Sequence, residues 1–221
     1  MQLNDALFPI GAYTQSGGLE TYIQKGLVCS FETASSFLRN RLRFAVLYGE
    51  LLPARLAWDY TDSADFEKLS GLNALLDAAK LPSEGRTAGQ KMGSRFIKTV
   101  SGFCDRADPA LFGGYLEAVG TGKHHHCVAY GMLCRACGID LREALSAFLY
   151  AQASLITTNC VKAVPLSQTD GQKLLNGCMP VYSRVLDAVF ELDEEDVCLS
   201  TPGFDIRAMQ HEGLYSRIYM S

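Results

Sequence analysis

Apolar residues recur along this chain at the spacing of a helix rather than a strand. Met92, Phe96, Val100 and Phe103 fall at i, i+4, i+8 and i+11. Leu145, Phe148, Gln152, Leu155 and Asn159 form a second stripe, and Leu174, Cys178, Tyr182, Val185 and Val189 a third. Each stripe lines one face of a 3.6-residue repeat. From Phe37 to Leu52 the pattern is apolar on more than one face, through Leu38, Leu42, Phe44, Ala45, Leu47 and Leu51. That predicts a helix buried centrally or in an oligomer contact. Alternating runs bounded by hairpin dipeptides do not occur. Breakers separate the stripes: Pro53, Asp62-Ser63, Pro82-Ser83, Asp108-Pro109, Gly138, Pro165 and Pro202-Gly203. Ser83, Asp108 and Asp140 are the expected N-caps. With no linker, repeat or low-complexity tract, the prediction is an all-α, single-domain bundle over 1–221. It should hold roughly ten helices of about 10–20 residues joined by short loops.

Composition narrows the function classes. The 221 residues are 48% hydrophobic and 20% charged, ordinary values for a globular protein with one sizeable core. A net charge of -4 disfavours nucleic acid, whose phosphates need a clustered basic surface. No uncharged apolar stretch is long enough for a bilayer span. Met1 to Asp5 lack the basic and apolar regions of a signal peptide, so a cytoplasmic location is expected. There the eight cysteines would be reduced and would act as small core hydrophobes. The acidic run Glu191 to Asp196 reads as a solvated loop.

Candidate chemistry is sparse. Gly120-Thr121-Gly122-Lys123 looks like the end of a phosphate-binding loop, but Glu117 stands where a glycine belongs and His124 where Ser or Thr belongs. No strand precedes it, so a nucleotide site is rejected. His124-His125-His126-Cys127, followed by Cys134 and Cys137, offers imidazole and thiolate ligands. On one helix, however, Cys127 and Cys134 lie about 10 Å apart along the axis. One ion cannot take them all, and core cysteines beside a histidine-rich helix start are the bland reading. Near a helix N-terminus these histidines should stay neutral. Paired carboxylates occur only in the acidic run and no local nucleophile signature stands out, which favours a binding or scaffolding role over an enzyme.

The two ends are unusual for a helical protein. Leu7 to Glu20 combines Pro9, Gly11, Gly17 and Gly18 with Tyr13, Gln15 and Ser16. It predicts an irregular N-terminal loop over 1–17, with Ser16 capping a helix from Gly18 to Leu27. In 202–221, Asp205 is the expected cap of a short helix through His211 and Glu212. Beyond it, Tyr215, Arg217, Ile218 and Tyr219 form a tail with two exposed tyrosines. Such a tail either docks on a partner, as its hot-spot composition allows, or folds back on its own core.

These ends carry a resemblance. The opening Asp5, Pro9, Gly11, Ala12, Tyr13, Ser16, Gly18, Leu19 and Glu20, and the ending His211, Glu212, Leu214, Ser216, Arg217, Ile218, Tyr219 and Ser221, resemble the two signatures of the urease accessory protein UreF family. Weaker matches lie between them in the family's order. They are Arg86 with Met92 to Arg95, His126 to Gly131, and Lys162 with Pro165 to Gln168 and Gln172. Cys127 stands where the family usually has proline, and Ser167 where glycine is common. The resemblance implies an all-α, often dimeric protein without catalysis or a cofactor of its own. Such a protein bridges a UreD-like (also called UreH) protein and the GTPase UreG while nickel is delivered to apo-urease, affecting the GTPase and helping route the metal. It further implies Glu20, Lys162, Gln168, Gln172, His211 and Arg217 as partner-facing polar residues. Tyr215 and Tyr219 would belong to a tail that orders on the UreD-like partner. Two alternatives stand beside this reading: a metal-binding regulatory protein centred on His124–Cys137, and a purely structural helical oligomer.

Overall fold

Ser30 and Thr33 cap each other's backbone in a reciprocal box that starts the longest rod of the fold. A computed structural model of the chain describes residues 2–5, 7–120, 123–199 and 201–220. From Ser30 the chain runs through α2 (Phe31–Arg41), a π-helical segment (Leu42–Leu51) and α3 (Leu52–Asp62) without a turn. Before it comes the short α1 (Leu19–Gln24). After it come α4 (Phe66–Ala79), α5 (Ser83–Val100), α6 (Pro109–Val119), α7 (His126–Ala136), α8 (Leu141–Ala163), α9 (Gln168–Ala188) and α10 (Pro202–His211). No strand occurs among the described residues, so the fold is an all-α bundle as expected. No described helix is long and apolar enough to cross a membrane.

Pro53 was expected to break the chain, and it does not. In the π segment the Leu52 N–H bonds the carbonyl of Leu47, five residues back. In that register Tyr48 would meet the nitrogen of Pro53, which has no hydrogen. The Tyr48 carbonyl accepts the Cys198 N–H instead, at 3.0 Å. The widened turn absorbs the proline, and a distant loop satisfies the orphaned acceptor. The rod is buried where the sequence is most apolar. Leu38, Leu42, Leu51 and Leu52 are fully enclosed, while Phe44 stays exposed.

Helix α7 lies at the centre, with every residue buried except Arg135. It packs most extensively on α3 and α5. Two glycines make this possible. A Cβ at Gly131 would lie 2.1 Å from the Ala54 carbonyl oxygen, and one at Gly93 would lie 1.9 Å from that of His124. Asp108 and Asp140 cap α6 and α8 as expected. Ser83 does not cap α5; it is the first helical residue after Pro82, and its hydroxyl bonds Glu212 at 2.5 Å.

Cys127, Cys134, Cys160 and Cys178 are buried as small hydrophobes, and burial pushes the Cys134 and Cys160 thiols up to about 12. Cys29 is exposed. The acidic run is more than a solvated loop: Arg55 donates to the Leu192 carbonyl at 2.9 Å, and Lys68 pairs with Glu194 at 3.1 Å. Thr121 and Gly122 of the loop resembling a phosphate site lie outside the described residues, as do Met1, Ala6, Ser200 and the Ser221 of the ending signature.

Candidate functional site

The chain ends meet, and the meeting point is held by carboxylates. Gly18, at φ 84°, takes the N-cap position of α1. Helix α10 crosses so close that a Cβ there would come within 3.0 Å of the Ala208 backbone. Ser16 is therefore not the cap; its carbonyl accepts the Leu19 N–H at 3.3 Å. The helix is also shorter than Gly18 to Leu27, ending at Gln24. At the other end Thr201 is the N-cap of α10, and Asp205 lies inside the helix, accepting the Thr201 N–H at 3.3 Å.

Glu20, in the first turn of α1, presents a buried carboxylate to α10 and the tail. Its Oε2 meets His211 Nε2 at 3.0 Å and accepts the Tyr219 N–H at 2.9 Å. Its Oε1 accepts the Ile218 N–H at 2.8 Å. The other ring nitrogen of His211, Nδ1, meets Glu84 Oε2 at 2.6 Å, and Arg217 donates to Glu84 Oε1 at 2.5 Å. Burial favours the neutral Glu20 carboxyl, but His211 and the two tail amides outweigh it and hold the group below its ordinary range. Two carboxylates thus grip one fully buried imidazole. Gln24 adds a bond to the Ser216 carbonyl at 2.9 Å, and the Met220 N–H bonds the Thr14 carbonyl at 2.8 Å. The result is a clasp between α1, α5, α10 and the tail.

This clasp corrects the expectation of two exposed tyrosines. Tyr215 is fully exposed, but Tyr219 is only 6% exposed. The tail bends at Ile218 and Tyr219, and its side chains diverge: Ile218 and Met220 are exposed while Tyr219 is buried. Glu20 and His211 are likewise buried and face each other, whereas Arg217 stays exposed. Lys162, Gln168 and Gln172 are exposed around the α8–α9 turn. That turn adjoins the N-terminal loop, because Asn159 donates to the Gln15 carbonyl at 2.7 Å. Glu84 escaped the sequence reading. An acidic residue in a helix's first turn ordinarily only complements the helix dipole, and nothing local announces its partners.

The histidine and cysteine run does not assemble. Only His126 lies within α7; His124 and His125 precede it. His124 Nδ1 meets the Tyr115 hydroxyl at 2.9 Å. The backbone N–H of His125 bonds Asn73 at 2.9 Å, and its ring lies 3.8 Å from Asp77. His126 packs edge-on to Phe96 and stacks on Phe148. Burial lowers all three, His125 and His126 to about 4, so they favour the neutral form through desolvation rather than a helix dipole. Cys137 turns to Cys104, sulfur to sulfur at 3.5 Å. Among the described residues no three His, Cys, Asp or Glu side chains converge as a metal site.

A family model described as UreF matches residues 28–179. The matched segment includes the rod, the central α7 and the α8–α9 turn, on which both chain ends are clasped. The chain belongs to the UreF family, whose members are accessory to urease maturation.

Proposed function

We propose that this protein is a non-catalytic scaffold, acting as a homodimer, that joins a UreD-like (UreH-like) protein to the GTPase UreG. In this reading it modulates that GTPase and helps route nickel toward apo-urease without holding a tight ion or cofactor of its own. The outer face of the clasped tail carries the reading. Tyr215, Ile218 and Met220 are exposed to 106%, 76% and 61%, and Tyr13 adds a further 62% next to Thr14, whose carbonyl accepts the Met220 N–H. Aromatic and aliphatic side chains held on a fixed backbone have the makings of a hot spot. Arg217 supplies charge at its edge. Lys162, Gln168 and Gln172 supply a second polar face at the α8–α9 turn, suited to a different partner.

The test is co-purification. The full chain should retain a UreD-like protein and a small GTPase. Removing the residues from Tyr215 onward should abolish capture of the UreD-like partner, and Ile218→Asp should weaken it at least about tenfold, roughly 1.4 kcal/mol. An intact complex after the deletion sinks the tail's role. The metal-binding alternative loses support because its ligands disperse to separate neighbours. A stoichiometric ion retained after chelation and lost in a Cys134→Ser, Cys137→Ser double variant would restore it.

A further inference from the structure

Beneath the clasp is a cavity of about 130 Å³ whose walls bring together Arg41 from the end of α2, Lys80 after α4 and Arg86 from the first turn of α5. Glu50, Glu84 and Asp205 line it too, so its formal charges cancel. Their partners do not. Lys80 pairs with Glu50 at 2.5 Å. Glu84 is occupied by His211 and Arg217, and Asp205 by the Thr201 amide. Arg86 gives one N–H to the Lys80 carbonyl at 2.8 Å and meets no carboxylate among the described residues. Arg41 makes no hydrogen bond and no ion pair there; it only lies over the Phe204 ring, 5.3 Å from its centroid.

The surroundings are shaped to admit this guanidinium. Gly17, at φ 60°, forms the wall beside it, and a Cβ there would fall 2.6 Å from Arg41 Nη2. Burial pulls Arg41 down from its ordinary range, opposed by Glu50 and Asp205. Arg41 is half-buried, and a partly desolvated guanidinium with no oxygen to bond gains from an anion beside it. Arginine's planar fork suits oxyanions in particular. Two arginines from different helices approach one small space, beside first-turn amides of α5 that have no acceptor within their own helix.

We propose that this cavity binds a small tetrahedral oxyanion of the phosphate or sulfate class, held by Arg41 and Arg86. The cavity has room for a free ion of that size, and Glu50 and Glu84 already hold ion-pair partners, which leaves Arg41 and Arg86 as the lining cations without a carboxylate in ion-pair contact among the described residues. The site is separate from the exposed tail and does not depend on the partner reading.

Titration calorimetry of the full chain with inorganic phosphate, at constant ionic strength and neutral pH, should give saturable binding at one site. Sulfate should compete and acetate should not. Arg41→Gln should weaken binding at least about tenfold, and Arg86→Gln by a smaller factor. Circular dichroism checks each fold. If Arg41→Gln does not fold, Arg86→Gln carries the test. No saturation by about 20 mM phosphate, a level at which a weak specific site would fill, overturns the proposal. So does unchanged affinity in the folded variants, or acetate binding in preference to phosphate.

Discussion

Glu20 carries three donors on one buried carboxylate, and this makes it a keystone of the fold before it is anything else. Removing it leaves the His211 ring facing Glu84 alone and strips two tail amides of their acceptor. Stripping buried donors of the carboxylate that accepts them costs about 3 kcal/mol. Glu20→Ala should therefore lower the urea midpoint by that equivalent. Tyr215→Ala, at a fully exposed position, should leave stability within about 0.5 kcal/mol while weakening partner capture. Equal effects of the two on stability would remove the distinction between clasp and docking face. Glu20 and His211 were legible as conspicuous residues, but not as a pair, because 191 positions separate them. The sequence stripes gave no means of bringing Glu84 to the same ring. Tyr219 was misplaced for a simpler reason: composition alone cannot tell which side chains of an irregular tail face in.

At the scale of elements, apolar periodicity located the helices well because each buries one face against a common core. It failed at Pro53, where the helix continues by widening instead of stopping, and where the freed acceptor is satisfied by Cys198 from far along the chain. The glycines show the reverse case, in which a residue read as part of a motif acquires a packing reason. Gly131 lets α7 touch the Ala54 carbonyl, and an added methyl would sit 2.1 Å from that oxygen. Gly131→Ala must push α3 and α7 apart, at a cost of about 3 kcal/mol or more. Gly113, in α6, would place a Cβ in open space. Gly113→Ala should raise stability by up to about 1 kcal/mol, the helix-propensity difference. Chemical denaturation of the two variants separates close packing from propensity, and two losses of equal size would contradict the packing assigned to α7.

For the whole molecule, acid is the informative variable. His125 and His126 are buried with folded values of about 4 against an ordinary 6.5. Between those limits the unfolded chain takes up protons that the folded chain refuses. Stability is therefore complete above about pH 6.5 and declines as pH falls toward 4, by at most about 1.4 kcal/mol per pH unit for each histidine. Glu20 acts lower. Its folded value is depressed, so the stability it contributes is present above the ordinary carboxylate range and is lost as pH falls through the folded value. The acid limb should thus have two parts, a histidine slope down to about pH 4 and a further, separate loss below it as Glu20 protonates. Urea denaturation across pH 4 to 7.5 measures the first part, and His126→Phe, which keeps an aromatic ring against Phe96 and Phe148, should flatten it. The clasp part should show as faster amide exchange at Ile218 and Tyr219 below pH 4 while α7 amides stay protected. If tail and α7 amides open together, the clasp is not a unit that releases before the core. In that case the tail reaches its partner only as part of the folded bundle.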